Sequence, residues 1–300
     1  MSAIRTDDVG EVARVFTIWL CCCSAVRLHR THPKKLINAS QAQVTVLLRH
    51  MQLGALRRHW DEFGRSDPLW AVLTAPDKKG NRWSVDEFLQ TGRDEIAALI
   101  SYLAARGLAP RRHRALDFGC GAGRLTHALA DHFDQVIGVD IAPSMIGVAR
   151  RLHAHRSGID FRLNTSTRLE SIESESIDLV YTLLVLQHIP PRYVRQYLAE
   201  FVRVLSPGGV LVFQLPSRDP VPVTVEGRGL KRMLPVRVIA MIRAIRRLRE
   251  FPRMEMHGLP RGEVEELLTS LGAPVVDVVD DRAHHADTPG FRYCAVKRAR

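Results

Sequence analysis

The sequence is poor in cysteine, with five among 300 residues. Cys21, Cys22 and Cys23 are adjacent, while Cys120 and Cys294 stand alone. No C-x-x-C pair is present, so neither a zinc knuckle nor a dithiol redox motif is signalled, and no metal site is expected. Neighbouring cysteines cannot close a relaxed disulfide. The pattern suits a reducing, cytoplasmic compartment. Long hydrophobic runs are also lacking. The apolar stretch VARVFTIWLCCCSAV (Val12 to Val26) contains Arg14 and falls short of the ~20 residues a membrane span requires. Its acidic front (Asp7, Asp8, Glu11) and the absence of a small-residue cleavage site argue against a secretory leader. Internal repeats and low-complexity tracts are missing too, which excludes solenoid and linker architectures. Acidic residues are outnumbered, 32 against 43 Lys and Arg, giving a net charge of +11 and a pI near 9.9. Such a chain prefers anionic company, whether nucleic acid, anionic lipid or acidic small molecules. An ordinary cytoplasmic enzyme of arginine-rich composition has the same balance.

What is there is globular: 46% hydrophobic and 25% charged residues suffice for one large core with appendages. Residues 1–50 show no organised pattern, and Met51 opens a more globular stretch. The expectation is that Met51 is the biological start, or that 1–50 is an extension. Residues 51–110 read as helices and loops with Trp60, Trp70 and Trp83. From 111 to 300 the pattern is that of a single α/β domain. QVIGVD (135–140) and IDFRLN (159–164) read as strands, and IDLVYTLLVLQ (177–187) begins as one. PSMIGVARRLHAH is a helix opened by Pro143, and PPRYVRQYLAEFVRVL another started by prolines. SPGG then ends that helix ahead of the strand VLVFQLP. This rhythm predicts a Rossmann-like, doubly wound sheet, mostly parallel. At the C-terminus a helix closed by Gly272 precedes two strands whose short link demands antiparallel pairing. An insertion, 216–256, interrupts the sheet after its fifth strand. It carries a basic amphipathic segment (231–253) with Val238, Met241, Ile242, Ile245 and Leu248 on one face and arginines around it.

The stretch ALDFGCGAGRLTHAL (Ala115 to Leu129) sets glycines between the first strand and a helix. Glycines there let backbone approach a ligand closely and leave helix N-terminal N–H groups free. In an open α/β sheet that turn lies at the ligand-binding end of the strands. The spacing is not that of a dinucleotide fingerprint. Gly119 and Gly121 fit G-x-G-x-x-G, but Arg124 stands in the third position and the glycine comes one residue early, at Gly123. The G-K-[ST] ending of a P-loop is absent.

Asp117-Phe-Gly119-Cys120-Gly121-Ala-Gly123 resembles the [DE]-x-G-x-G-x-G motif of class I S-adenosylmethionine-dependent methyltransferases. VIGVDIAPSMI, IDLVYTLLVLQHIP and VLSPGGVLVF resemble three further signatures in order, so the likeness runs from about Arg114 to Gly209 and more weakly to the C-terminus. It implies S-adenosylmethionine as cofactor. The backbone of Gly119, Cys120, Gly121 and Gly123 would face the amino-acid and ribose portions. Asp117 would lie near the ammonium, Asp140 would accept from the ribose hydroxyls, Ile141 would pack on the adenine, and the backbone at Leu183 would line the site. Where relatives carry an acid or asparagine facing the adenine amine, this chain has NTSTRLESI. Alignment on Leu169 puts Thr165 there, with Asn164 or Ser166 as alternatives. Arg93, at the start of the helical run GRDEIAALISYL, could pair with the ligand carboxylate, although a solvated surface arginine reads as well.

Methyl transfer is an in-line displacement in which the protein chiefly aligns donor and acceptor. A base is needed only when the acceptor must lose a proton. His188 and His257 are the two candidates. The resemblance implies an oxygen or nitrogen of a small molecule as acceptor, anionic or lipid-like if the basic insertion covers the site. That insertion could also rest on a membrane surface. Nucleic acid is the weaker reading. HIPPRY lacks the acid or amide before its prolines and the aromatic after them that hold a flipped base, and no aromatic-interleaved basic sheet is visible. A protein that binds S-adenosylmethionine without transferring its methyl is the remaining alternative.

Overall fold

The computed structural model describes residues 53–217, 252–281 and 289–299, all within one unit, Gln52–Arg300. The extension 1–50 and most of the basic insertion lie outside the described residues.

Among the described residues, four helical segments precede the sheet: α1 (53–66), α2 (Pro68–Val72), a 3-10 turn (Pro76–Lys78) and α3 (Val85–Ala105). Helix α3 begins well before Arg93. Ser84 accepts from the Glu87 backbone N–H, and the Glu87 side chain answers to the Ser84 backbone, a full capping box. The S-V-D-E signature for this start is plain in the sequence, and the reading of Arg93 as a helix-opening residue is corrected by it: Arg93 sits in the middle of the helix.

The sheet comprises β1 (Arg114–Phe118), β2 (Gln135–Asp140), β3 (Ile159–Leu163), β4 (Ile177–Thr182), β5 (Leu205–Pro216), β6 (Val275–Asp280) and β7 (Gly290–Val296). Its order is β3-β2-β1-β4-β5-β7-β6. The first five strands pair in parallel, and β7 runs antiparallel to both β5 and β6. The doubly wound, mostly parallel sheet with an antiparallel C-terminal strand is therefore as expected. Helices α4 (Arg124–Leu129), α5 (Pro143–Leu152) and α6 (Pro191–Val204) make the crossovers, and α7 (Arg261–Ser270) precedes β6. Gly272 follows α7 with φ +84, as a helix-ending glycine should.

One expectation changes. SPGG does not separate α6 from its strand, because β5 starts directly at Leu205. Ile177 pairs with Leu205 but Leu179 pairs with Val210, so residues 206–209 are accommodated as an irregularity inside the strand.

The sheet is buried on both faces. Leu116, Val180, Leu211 and Phe213 join Tyr197, Leu198 and Phe201 of α6 on one side. Ala115, Leu179, Tyr181 and Val212 meet Ile96, Leu99 and Leu103 of α3 on the other. Gly92 lets α3 lie close against α4, since a Cβ there would stand 2.4 Å from the Arg124 carbonyl oxygen. No described helix is long and apolar enough to cross a membrane. The chain runs β1-β2-β3 in one direction and then returns to place β4 on the other side of β1. The carboxyl ends of β1 and β4 thus flank the topological switch point, where α/β sheets bind ligands.

Candidate active site

A cleft of about 730 Å³, including its open mouth, lies at this switch point. Its floor is built by the turn after β1. Gly119, Gly121 and Gly123 all have positive φ (+75, +52 and +86), which L side chains adopt only under strain. Space forbids side chains as well. A Cβ on Gly119 would meet a Val185 methyl at 2.4 Å, and one on Gly121 would meet a Val72 methyl at 2.3 Å. The Val139 carbonyl accepts from both Gly119 N–H (2.8 Å) and Cys120 N–H (2.9 Å), tying the turn to the end of β2.

Asp140, the last residue of β2, completes the tie. One carboxylate oxygen accepts from Gly121 N–H (2.9 Å) and the other from Ala142 N–H (2.8 Å). Burial pushes its carboxyl above the ordinary range, and these backbone hydrogen bonds oppose the shift. A carboxylate accepts about four hydrogen bonds, so both oxygens keep capacity for a ligand diol. Ile141, Met145 and Val139 provide an apolar shelf beside it.

The structure sorts the residues read from the sequence. Gly119, Gly121, Asp140, Ile141, Leu183 and His188 line the cleft. Thr165 does not. It is exposed, and the wall there is its neighbour Asn164, whose N–H donates to the Asp140 carbonyl (2.8 Å). Cys120 is buried behind the turn with Ile146, Ala149 and Phe161, and burial raises its thiol pKa. Gly123 is the N-cap of α4 and packs on His153 and Phe161 rather than on the cleft. Asp117 points to the opposite face of the sheet. It is 1% exposed, accepts from Thr126 Oγ1 (2.6 Å), and burial lifts its pKa to about 6. Arg93 faces Gln90, to which its Nε donates at 2.9 Å, and does not line the cleft. His257 stays outside as well, paired at 3.3 Å with Glu255, while its backbone N–H donates to the Gln187 carbonyl.

The far wall was not foreseen. Leu56 and Trp60 of α1 and Ala71 and Val72 of α2 line the cleft opposite the glycine turn. Helix α1 is anchored to α5: Asp61 accepts from Ser144 N–H (2.9 Å), and the Asp61 carbonyl accepts from Ser144 Oγ (2.7 Å). The rim after β4 is strained. Leu184 has φ +62, and its N–H donates to Gln214 Oε1 at 3.1 Å.

Among the described residues that line the cleft, Asp140 is the one carboxylate, and there is no lysine or arginine. No group of three or more His, Cys, Asp or Glu among the described residues could hold a metal ion. A carboxylate with spare acceptor capacity, an apolar shelf and a bare glycine backbone are groups that a nucleoside with a diol and an amino-acid tail, such as S-adenosylmethionine, would use.

Comparison with known proteins agrees. Residues 116–213 match the methyltransferase domain family. The chain is 36% identical over 124 residues to the ubiquinone biosynthesis O-methyltransferase of Hahella chejuensis, an overlap covering 40% of this chain and 50% of that protein. It is 34% identical over 142 residues to the enzyme of the same name from Xanthomonas axonopodis, covering 45% and 57%. The overlap thus spans only about half the length of these relatives. Among solved structures, the fold resembles the N-methyltransferase NodS of Bradyrhizobium japonicum in complex with S-adenosyl-L-homocysteine, with TM-score 0.52, 20% identity, and 81% of this chain and 99% of that chain covered. It also resembles the magnesium protoporphyrin IX methyltransferase of Synechocystis with bound S-adenosylhomocysteine, with TM-score 0.51, 19% identity, and coverage of 80% and 97%. The segment 116–213 is thus similar to the methyltransferase domain family, and the fold is the one these two solved methyltransferases share.

Proposed function

We propose that this chain transfers a methyl group from S-adenosylmethionine to an oxygen or nitrogen of a small-molecule acceptor. The observation that carries the reading is the charge content of the cleft: one carboxylate, Asp140, and no lysine or arginine among the described lining. A dinucleotide turn would carry its third glycine where Arg124 stands. A sulfonium nucleoside brings a diol and a positive charge, which suit Asp140. The relatives named as O-methyltransferases favour oxygen.

In this reading Asp140 holds the ribose, Ile141 and Met145 flank the adenine with Asn164 at its edge, and the backbone of Gly119, Gly121 and Leu183 meets the rest. Asp117 acts through the field from below the turn. The protein's contribution is alignment and exclusion of water, and the cofactor supplies the reactive methyl. Nothing in the cleft favours RNA. The basic segment 231–253 supports an anionic or lipid-like acceptor and contact with a membrane surface, and co-sedimentation with anionic liposomes tests this. Equal binding by a chain lacking 231–253 would end that part of the reading.

Calorimetry with S-adenosylmethionine is the first test, followed by release of S-adenosylhomocysteine across a panel of hydroxyl, amine and RNA acceptors. Saturable binding and turnover with a small molecule are expected. Absence of binding would overturn the reading, and binding without any turnover would leave a cofactor-binding protein.

A further inference from the structure

His188 is held in a way that a packing histidine does not require. It sits in the 3-10 turn after β4 (Leu186–His188), is 8% exposed and lines the cleft. Its Nδ1 stands 2.7 Å from the Glu255 carbonyl oxygen. A carbonyl only accepts, so Nδ1 carries the hydrogen. Its Nε2 stands 3.2 Å from the Gln187 side-chain nitrogen, an N–H donor that requires a lone pair on Nε2. Swapping the amide's oxygen and nitrogen would demand a doubly protonated ring, a full charge in a largely apolar wall. The ring also lies 5.1 Å from the Trp60 ring. One tautomer is thus selected from two sides.

The selecting carbonyl belongs to the segment 252–259, which is itself fixed at several points. Arg253 N–H donates to His59 Nδ1 (3.1 Å), His257 N–H to the Gln187 carbonyl (2.6 Å) and Leu259 N–H to the Pro216 carbonyl (3.0 Å). The strap therefore ties α1, the 3-10 turn and the end of β5 around one imidazole. Fixing one ring nitrogen as donor defines what the other can do.

We propose, on the reading of the cleft given above, that His188 takes the proton of a hydroxyl acceptor through Nε2, with Gln187 and the Glu255 carbonyl as positioning groups that keep the lone pair there. The incoming O–H displaces the Gln187 N–H from Nε2. The acceptor oxygen forms the new O–C bond with its own electron pair. The C–S bond of the sulfonium breaks and its pair remains on sulfur. The O–H proton passes to Nε2, and the imidazolium returns it to solvent after product leaves. An acceptor that arrives without a hydrogen to lose has no use for this arrangement.

Nitrogen-detected NMR of the free protein tests the tautomer without any turnover. His188 is expected to carry its hydrogen on Nδ1 at neutral pH; an Nε2–H tautomer overturns the proposal. His188→Asn keeps a donor for the Glu255 carbonyl and removes the base. Turnover of hydroxyl acceptors should fall by about 10²–10⁴-fold, with S-adenosylhomocysteine affinity within about twofold of the parent. Unchanged turnover sinks the inference and leaves the methyltransferase reading standing. Gln187→Leu withdraws a donor from the neutral ring only, so the acid limb of kcat/KM should move up by about one pH unit. A limb that stays in place removes Gln187 from the mechanism. A parent protein that neither binds S-adenosylhomocysteine nor turns over defeats the reading of the cleft, and this inference with it.

Discussion

The cleft has two walls of different making. One is backbone: the glycine turn, the carbonyl of Val139 and the carboxylate of Asp140, all within a few residues of two strand ends. The other is side chain: Leu56, Trp60, Ala71 and Val72 from helices that precede the sheet. The first wall is specified by conformation, since its residues are fixed by what φ they tolerate and which N–H they accept from. The second is specified by shape, and many apolar residues would serve.

The largest expected effect comes from breaking the backbone wall. Gly119→Ala adds a methyl at φ +75 and 2.4 Å from a stiff β-branched Val185, and should cost about 2–4 kcal/mol of stability in denaturant titrations. A loss well under 1 kcal/mol would mean that this wall yields as easily as the other. Asp140→Ala should weaken S-adenosylmethionine binding by about 1–3 kcal/mol, the cost of leaving its polar partners unpaired; unchanged calorimetric affinity would remove Asp140 from the ligand. The point where the walls touch can be isolated in a double-mutant cycle. Gly121→Ala meets only one Val72 methyl closely, so adding Val72→Ala should recover about 1 kcal/mol. Strict additivity would show that the walls do not press on each other.

The fourth prediction concerns the support behind the turn. His153 Nε2 lies 3.1 Å from the Ala122 carbonyl, and its Nδ1 lies 3.3 Å from His127 Nδ1. His153 donates to the carbonyl through Nε2, and in the neutral ring Nδ1 is left to accept from His127. Burial lowers the pKa of both histidines, and Arg156 near each adds to this. With folded values below the unfolded one, the stabilisation is complete above about pH 6.5 and is lost as pH falls through the lowered folded values. Denaturant midpoints should therefore drop on acidification from about pH 6.5, and His153→Gln should flatten that slope. A slope identical to the parent's would place the acid sensitivity elsewhere. The smallest effect is expected at Arg93→Ala, within about 0.5 kcal/mol in stability and without change in cofactor affinity, because its side chain turns to Gln90 and away from both walls.

The same contrast governs what could be read from the chain. The strands β1 to β5 and the glycine turn carried local signatures, because buried parallel strands and positive φ leave few residue choices. The helix α3 start is equally legible in S-V-D-E, ahead of the run GRDEIAALISYL that continues the helix. Asp117 was recognisable as part of a motif. Its direction was not, because alternation along β1 sets it on the same face as Ala115, away from the cleft. Thr165 against Asn164 was a matter of one residue of register at a strand end. Trp60 and Val72 carry no local mark of a site: the place of Trp60 is fixed with the Asp61–Ser144 anchor, a contact 83 positions apart, which no window of sequence displays.

The contact between Trp60 and His188 has an optical consequence. An imidazolium accepts an electron from an excited indole more readily than a neutral imidazole does, so protonation of His188 at 5.1 Å should dim Trp60. The fold has thereby placed a fluorophore against the one imidazole of the described cleft wall, and the charge state of that ring should register as a pH-dependent part of the protein's tryptophan emission, with or without a known acceptor.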